Sequence, residues 1–95
     1  MLIGRLASMA LGVAMKITVK LFAAGRELAG ASEVLAELPD GANVGALRAW
    51  LETHYPSLGP LLKSTAFAVN ADYASDHTPL DPSAEVAMIP PVSGG

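Results

Sequence analysis

Lys16-Ile17-Thr18-Val19-Lys20-Leu21-Phe22 alternates polar and apolar residues up to its final position. Successive side chains of a strand point to opposite faces, so this is a half-buried strand with Ile17, Val19 and Leu21 on one side. Lys16, Thr18, Lys20 and Phe22 take the other. Phe22 is out of place there, because an outward aromatic beside two lysines has nothing of its own strand to cover it. Glu33-Val34-Leu35-Ala36-Glu37-Leu38 repeats the period, with Val34, Ala36 and Leu38 inward. The ten residues between, 23–32, contain Gly25 and Gly30 and read as a loop or turn, so the two strands read as an antiparallel hairpin with a wide turn.

A sheet with one apolar face needs a second layer. Pro39-Asp40-Gly41 breaks the second strand, and Asn43 is placed to cap a helix, its side-chain oxygen accepting from an amide of the first turn. Val44, Leu47, Trp50, Leu51 and His54 then recur at helical spacing. Arg48 and Glu52 stand as an i,i+4 pair on another face. Pro56 disfavours helical geometry at Tyr55 and ends the helix. Residues 58–63 suit a short helical turn. Residues 66–70 form a third strand with Phe67 and Val69 inward. Asn70-Ala71-Asp72 turns the chain, and Tyr73-Ala74 starts a short edge strand. Leu80 is a core residue before the turn Asp81-Pro82-Ser83. Glu85-Val86-Ala87-Met88-Ile89 is the last strand, with Val86 and Met88 inward and Ile89 outward.

The result is an α+β chain: a mixed sheet of about five strands with one main helix packed on one face. The first and last strands are the most apolar and belong side by side in its centre. That arrangement is the β-grasp, or ubiquitin-like, fold. With 95 residues there is room for one domain, and 52% hydrophobic against 16% charged residues is a folding composition. The net charge is -3 and the six basic residues are scattered, which speaks against nucleic acid as a partner. No cysteine is present, excluding disulfides, thiolate metal sites and a cysteine nucleophile.

Three segments follow: an N-terminal extension over 1–14, the β-grasp domain over 15–89 and an extended tail over 90–95. The extension holds one charge, Arg5, and is otherwise small or apolar. Gly12-Val13-Ala14 resembles a signal-peptide cleavage site, and a transit or membrane-surface segment is a second reading. The plainer reading is an upstream start, with strand alternation beginning directly after Met15. The segment is shorter than the ~20 apolar residues a membrane-spanning helix needs, and no membrane association is expected.

The tail, Pro90-Pro91-Val92-Ser93-Gly94-Gly95, carries the chemistry. Two prolines fix φ and hold the chain extended away from the sheet. Two glycines without Cβ can enter a narrow channel. Together with Leu21-Phe22-Ala23-Ala24-Gly25-Arg26-Glu27, Asn43-Val44-Gly45-Ala46-Leu47-Arg48, Val69-Asn70 and Glu85-Val86-Ala87, this ending resembles the small subunit of molybdopterin synthase, a ubiquitin-like sulfur carrier. The resemblance runs over residues 15–95. Ser83-Ala84 departs from it, where the family usually has a glycine and an acidic residue.

The resemblance implies a cycle. An activating enzyme of the ubiquitin-activating type uses ATP to adenylate the Gly95 carboxylate. A sulfur donor replaces AMP and leaves a thiocarboxylate. The loaded tail enters the large synthase subunit, within a heterotetramer of two small and two large subunits, and gives sulfur to a pterin precursor. Gly95, with Gly94 before it, is then the carrier of the reactive group. The chain is not catalytic alone, binds no cofactor or metal itself, leaves ATP to the activating partner and works in the cytoplasm. Phe22, Tyr73 and Ile89 have apolar family counterparts in the partner-binding surface. Pro90, Pro91, Val92 and Ser93 belong to the inserted tail, and Arg26 fits a polar rim contact.

Other residues read more plainly. Glu27 is a solvated loop residue. His54 and His77 lack partners at ligand spacing. Asp72, Asp76, Asp81 and Glu85 do not fit a calcium loop and belong to turns and solvation. Trp50 belongs to core or helix-edge packing. Two alternatives share the adenylation step: a thiamine-type sulfur carrier, and a ubiquitin-like modifier that joins Gly95 to lysines of other proteins.

Overall fold

The computed structural model describes residues 14–91. The extension up to residue 13 and the tail from Val92 to Gly95 lie outside the described residues. Strand β1, Ala14–Leu21, begins one residue before the expected boundary at Met15 and buries every second side chain, Met15, Ile17, Val19 and Leu21. Strand β2, Glu33–Pro39, buries Val34, Ala36 and Leu38 in the same alternation. The two pair antiparallel, with Lys20 opposite Glu33 and Lys16 opposite Glu37, so each outward lysine faces a carboxylate.

The connection between them is a helix where a loop was expected. α1 spans Ala23–Ala29 and ends at Gly30, whose φ of 73° is the left-handed conformation that closes a helix. Two glycines within ten residues resemble turn chemistry. Here Gly30 is a cap and Gly25 is a point of close packing.

Helix α2, Val44–His54, starts where expected: Asn43 Oδ1 accepts from the Ala46 amide at 2.9 Å. It lays Val44, Leu47 and Leu51 on the sheet, all fully buried, each contributing about 1.5–3 kcal/mol by removal from water. Trp50 is half-buried and stacks on His54 at 4.0 Å between ring centroids. His54 Nδ1 donates to the Trp50 carbonyl at 3.0 Å, so both rings close the end of the helix. Pro56 opens a 3-10 turn, Pro56–Leu58, which runs into a one-turn helix α3, Gly59–Leu62. Strands β3, Ala66–Val69, β4, Asp72–Ala74, and β5, Val86–Ile89, complete one sheet of order β2-β1-β5-β3-β4. β1 and β5 are parallel central neighbours and the other pairs are antiparallel. This is the mixed five-stranded β-grasp. β4 is an edge strand, Phe67 is fully buried and Val69 is half-buried.

The expected Arg48–Glu52 pair does not form. Arg48 turns instead to Asp76 and to the carbonyls of Leu62 and Thr65, with its guanidinium 4.9 Å from the centre of the Phe67 ring. A local helix pair is worth a few tenths of a kcal/mol. A half-buried guanidinium with four acceptor contacts outweighs it.

Candidate functional site

The tail leaves from the C-terminal end of β5, and that end is built from both sides. Leu21 of β1 pairs with Met88 of β5, so Phe22 and Ile89 are the next residues along two parallel chains. Phe22 keeps an extended backbone, φ -131° and ψ 156°, and so continues the outward alternation of Lys20. It is 48% exposed, and Ile89 beside it is half-buried. One step back, the register lines up Lys20, Ala87, Ala68 and Tyr73 across β1, β5, β3 and β4. Tyr73 is 76% exposed. Ala66 lies opposite Ile89. The outward face next to the tail is therefore apolar: Phe22, Ile89, Ala66, Ala87, Ala68 and Tyr73. Lys20 closes that row at the β1 side, its Nζ 3.9 Å from a carboxylate oxygen of Glu85, so charge begins at the margin of the apolar face.

The sequence-expected surface residues Phe22, Tyr73 and Ile89 thus share one face at the tail end. Arg26 is exposed on α1, not on the sheet, and Glu27 is exposed beside it. Pro91 is exposed, but Pro90 is buried: it continues the inward series Val86, Met88. Of the two prolines only Pro91 presents its surface at the tail root. Val92, Ser93, Gly94 and Gly95 lie outside the described residues.

Two contacts fix β5 at its other end. The Asn70 amide donates to the Glu85 carbonyl at 2.8 Å, and the Glu85 amide donates to Asn70 Oδ1 at 2.9 Å. Asn70, in the left-handed region at φ 52°, so locks the β3–β4 turn to the start of β5. Ahead of β5 the Asp81 carboxylate accepts from Ser83 Oγ at 2.6 Å and from the Ser83 amide at 2.8 Å. These bonds hold its pKa below the ordinary carboxylate range. Among the described residues no group of three His, Cys, Asp or Glu side chains is placed to hold a metal ion. No helix of the described residues is long and apolar enough to cross a membrane.

Sequence reasoning did not single out Leu28 or Leu35, both about half exposed, nor the alanines of the outward face. Leu35 was legible, since it takes an outward position of a strand read correctly. Leu28 was hidden with the helix that carries it.

This geometry has known counterparts. The family model described as the ThiS family matches residues 19–95. The chain belongs to the ThiS family. Among its relatives, the molybdopterin synthase sulfur carrier subunit of Chlamydomonas reinhardtii is 42% identical over 83 residues, covering 85% of this chain and all of the relative. Among solved structures, a molybdopterin converting factor subunit 1 of Pyrococcus furiosus, so described with the qualifier putative, superposes with a TM-score of 0.74 at 31% identity, covering 82% of this ThiS-family chain and 99% of that one. The small archaeal modifier protein 1 of Methanosarcina acetivorans superposes with a TM-score of 0.74 at 28% identity, covering 88% and 100%.

Proposed function

We propose that this chain is the sulfur carrier subunit of a molybdopterin synthase and that Gly95 bears the transferred sulfur. The observation that carries the reading is the tail root: β5 runs into Pro90 and Pro91 beside Phe22 and Ile89, and the family match continues from there to residue 95. The names of the relatives, each a sulfur carrier subunit of a molybdopterin synthase, support sulfur carriage and a further synthase subunit as partner.

In the first step a Gly95 carboxylate oxygen attacks the α-phosphorus of ATP on the adenylating enzyme, and pyrophosphate leaves. A sulfide-level sulfur then attacks the acyl carbon and AMP departs, leaving a thiocarboxylate. Adenylation is needed because oxide is a poor leaving group. The thiocarboxylate sulfur next adds to an electrophilic carbonyl carbon of the pterin precursor, whose π pair passes to the oxygen and takes up a proton. Water releases the acyl end and restores the Gly95 carboxylate. This chain supplies three things: a reactive terminus, a stem that extends it, and an apolar face for docking. ATP, the sulfur donor and the cytoplasmic setting belong to its partners.

Appending one alanine after Gly95 tests the reading. Sulfur transfer by that variant is expected to be lost, because the activated carboxylate no longer belongs to Gly95. Retained transfer would overturn it. A second reading, a protein modifier joined through Gly95, is supported by the likeness to the small archaeal modifier protein. Conjugates that vanish when Gly95 is deleted, in cells supplied with the adenylating enzyme, would establish it.

A further inference from the structure

Val86, Met88 and Pro90 occupy successive inward positions, and all three are buried, whereas Pro91 is exposed. The chain is thus buried as far as Pro90 and exposed at Pro91. The direction in which the tail departs depends on what holds these last inward residues.

Met88 lies between Leu21 of β1 and Phe67 of β3 in the sheet, and α1 covers its inward side chain. Gly25 is the buried residue of that helix, and a Cβ built on it would lie 3.4 Å from Met88 Cε and 3.7 Å from Sδ. Those are ordinary van der Waals distances, so a methyl fits at this position and a branched side chain would press on the methionine. A second contact clips α1 to the 3-10 turn: Ser57 Oγ donates to the Leu28 carbonyl at 3.0 Å. The start of α1 is fixed as well, because the Phe22 carbonyl accepts from the Gly25 amide at 3.0 Å. One seven-residue helix therefore joins the outward Phe22, the inward Met88 and the 3-10 turn.

We infer that α1 is a buttress that sets the exit direction of the tail, with Gly25 and Ser57 as positioning residues. The inference rests on the reading of Gly95 as the reactive end. A chain end that enters a channel pays an ordering cost, and a fixed direction at its root reduces that cost. A displaced root also misplaces the carboxylate, and a shift of about 1 Å can cost up to a hundredfold in rate. Docking is a separate matter. Tyr73 sits on β4, away from the Gly25–Met88 contact, and Phe22, though its carbonyl accepts from the Gly25 amide, keeps its side chain on the outward face at the end of β1.

The test is steady-state adenylation of the full chain by its adenylating enzyme, read as pyrophosphate release well below each variant's Tm. Gly25→Ala is expected to act as wild type, since its Cβ makes an ordinary contact. Gly25→Val is expected to lower kcat about fivefold with KM changed less than about twofold. Adding Met88→Val, which shortens the opposing side chain, should recover most of that loss. Ser57→Ala should lower kcat about twofold. Wild-type kcat in a folded Gly25→Val, a loss confined to KM, or failure of Met88→Val to restore turnover would overturn the inference. If Gly25→Val does not fold, wild-type kcat in Ser57→Ala overturns it. Absence of turnover in the wild type would instead overturn the reading of Gly95, and this inference with it.

Discussion

Arg48 Nη2 and Asp76 Oδ1 meet at 2.8 Å across 28 residues of chain. Arg48 Nε reaches the same oxygen at 3.2 Å, and Nη1 donates to the carbonyls of Leu62 and Thr65. One side chain thus ties α2 to the strand connections on either side of β3 and β4. Arg48→Ala strands two carbonyls and removes a charge-assisted pair, so a loss of about 2–3 kcal/mol is expected. Asp76→Asn, at a half-exposed partner, should cost about 0.5–1 kcal/mol. Urea midpoints compare the two, and equal losses would contradict this ranking.

The β3–β4 turn carries strain that a single change relieves. Val69 pairs with Asp72, so Asn70 and Ala71 form a two-residue turn, with φ of 52° and 72°. Both values fit the hairpin turn that favours Asn followed by Gly. Alanine pays a steric cost there that glycine does not. Ala71→Gly is expected to stabilise the chain by about 0.5–1 kcal/mol, seen as a higher urea midpoint. Asn70→Ala should do the reverse, because it also removes the bond to Glu85.

The outward apolar face is expected to act in docking and not in folding. Phe22→Asp should leave the circular dichroism spectrum unchanged and weaken binding to the adenylating enzyme at least about tenfold. Tyr73→Asp should act in the same direction. Lys16→Ala, at the charged end of the face, should change binding little. Calorimetric titration separates these outcomes.

Asp81 gives a pH dependence with a definite sign. Its folded pKa is lowered, first by the Ser83 hydroxyl and then by the Ser83 amide. The unfolded group binds its proton at higher pH, so the stabilisation is present above the ordinary carboxylate pKa and is lost as pH falls through the lowered one. The Ser83 amide resonance should therefore inflect at a lower pH than that of a free aspartate. Asp81→Asn should abolish the inflection.

The parts of the fold that the sequence made legible are those governed by near neighbours. Period-two alternation located β1, β2 and β5, and Asn43 located the start of α2, because each depends on residues a few positions apart. The Arg48–Asp76 pair could not be read, since its partner is set by the folded path of the chain. α1 was missed because Gly25 and Gly30 read as turn residues, although Ala23, Ala24, Arg26, Glu27, Leu28 and Ala29 are good helix formers and Gly30 is only the cap. At the site, alternation was enough to turn Phe22 and Tyr73 outward. It did not show that Pro90 is buried, because that follows from the inward register of β5 carried past its last paired residue.

Intact mass of the full chain after incubation with its adenylating enzyme, ATP and a sulfur source tests the central claim most directly. The account predicts a rise equal to the exchange of one oxygen for one sulfur, located by fragmentation at Gly95 and absent when alanine follows Gly95. An unchanged mass, or the same rise in the alanine-extended chain, would contradict it.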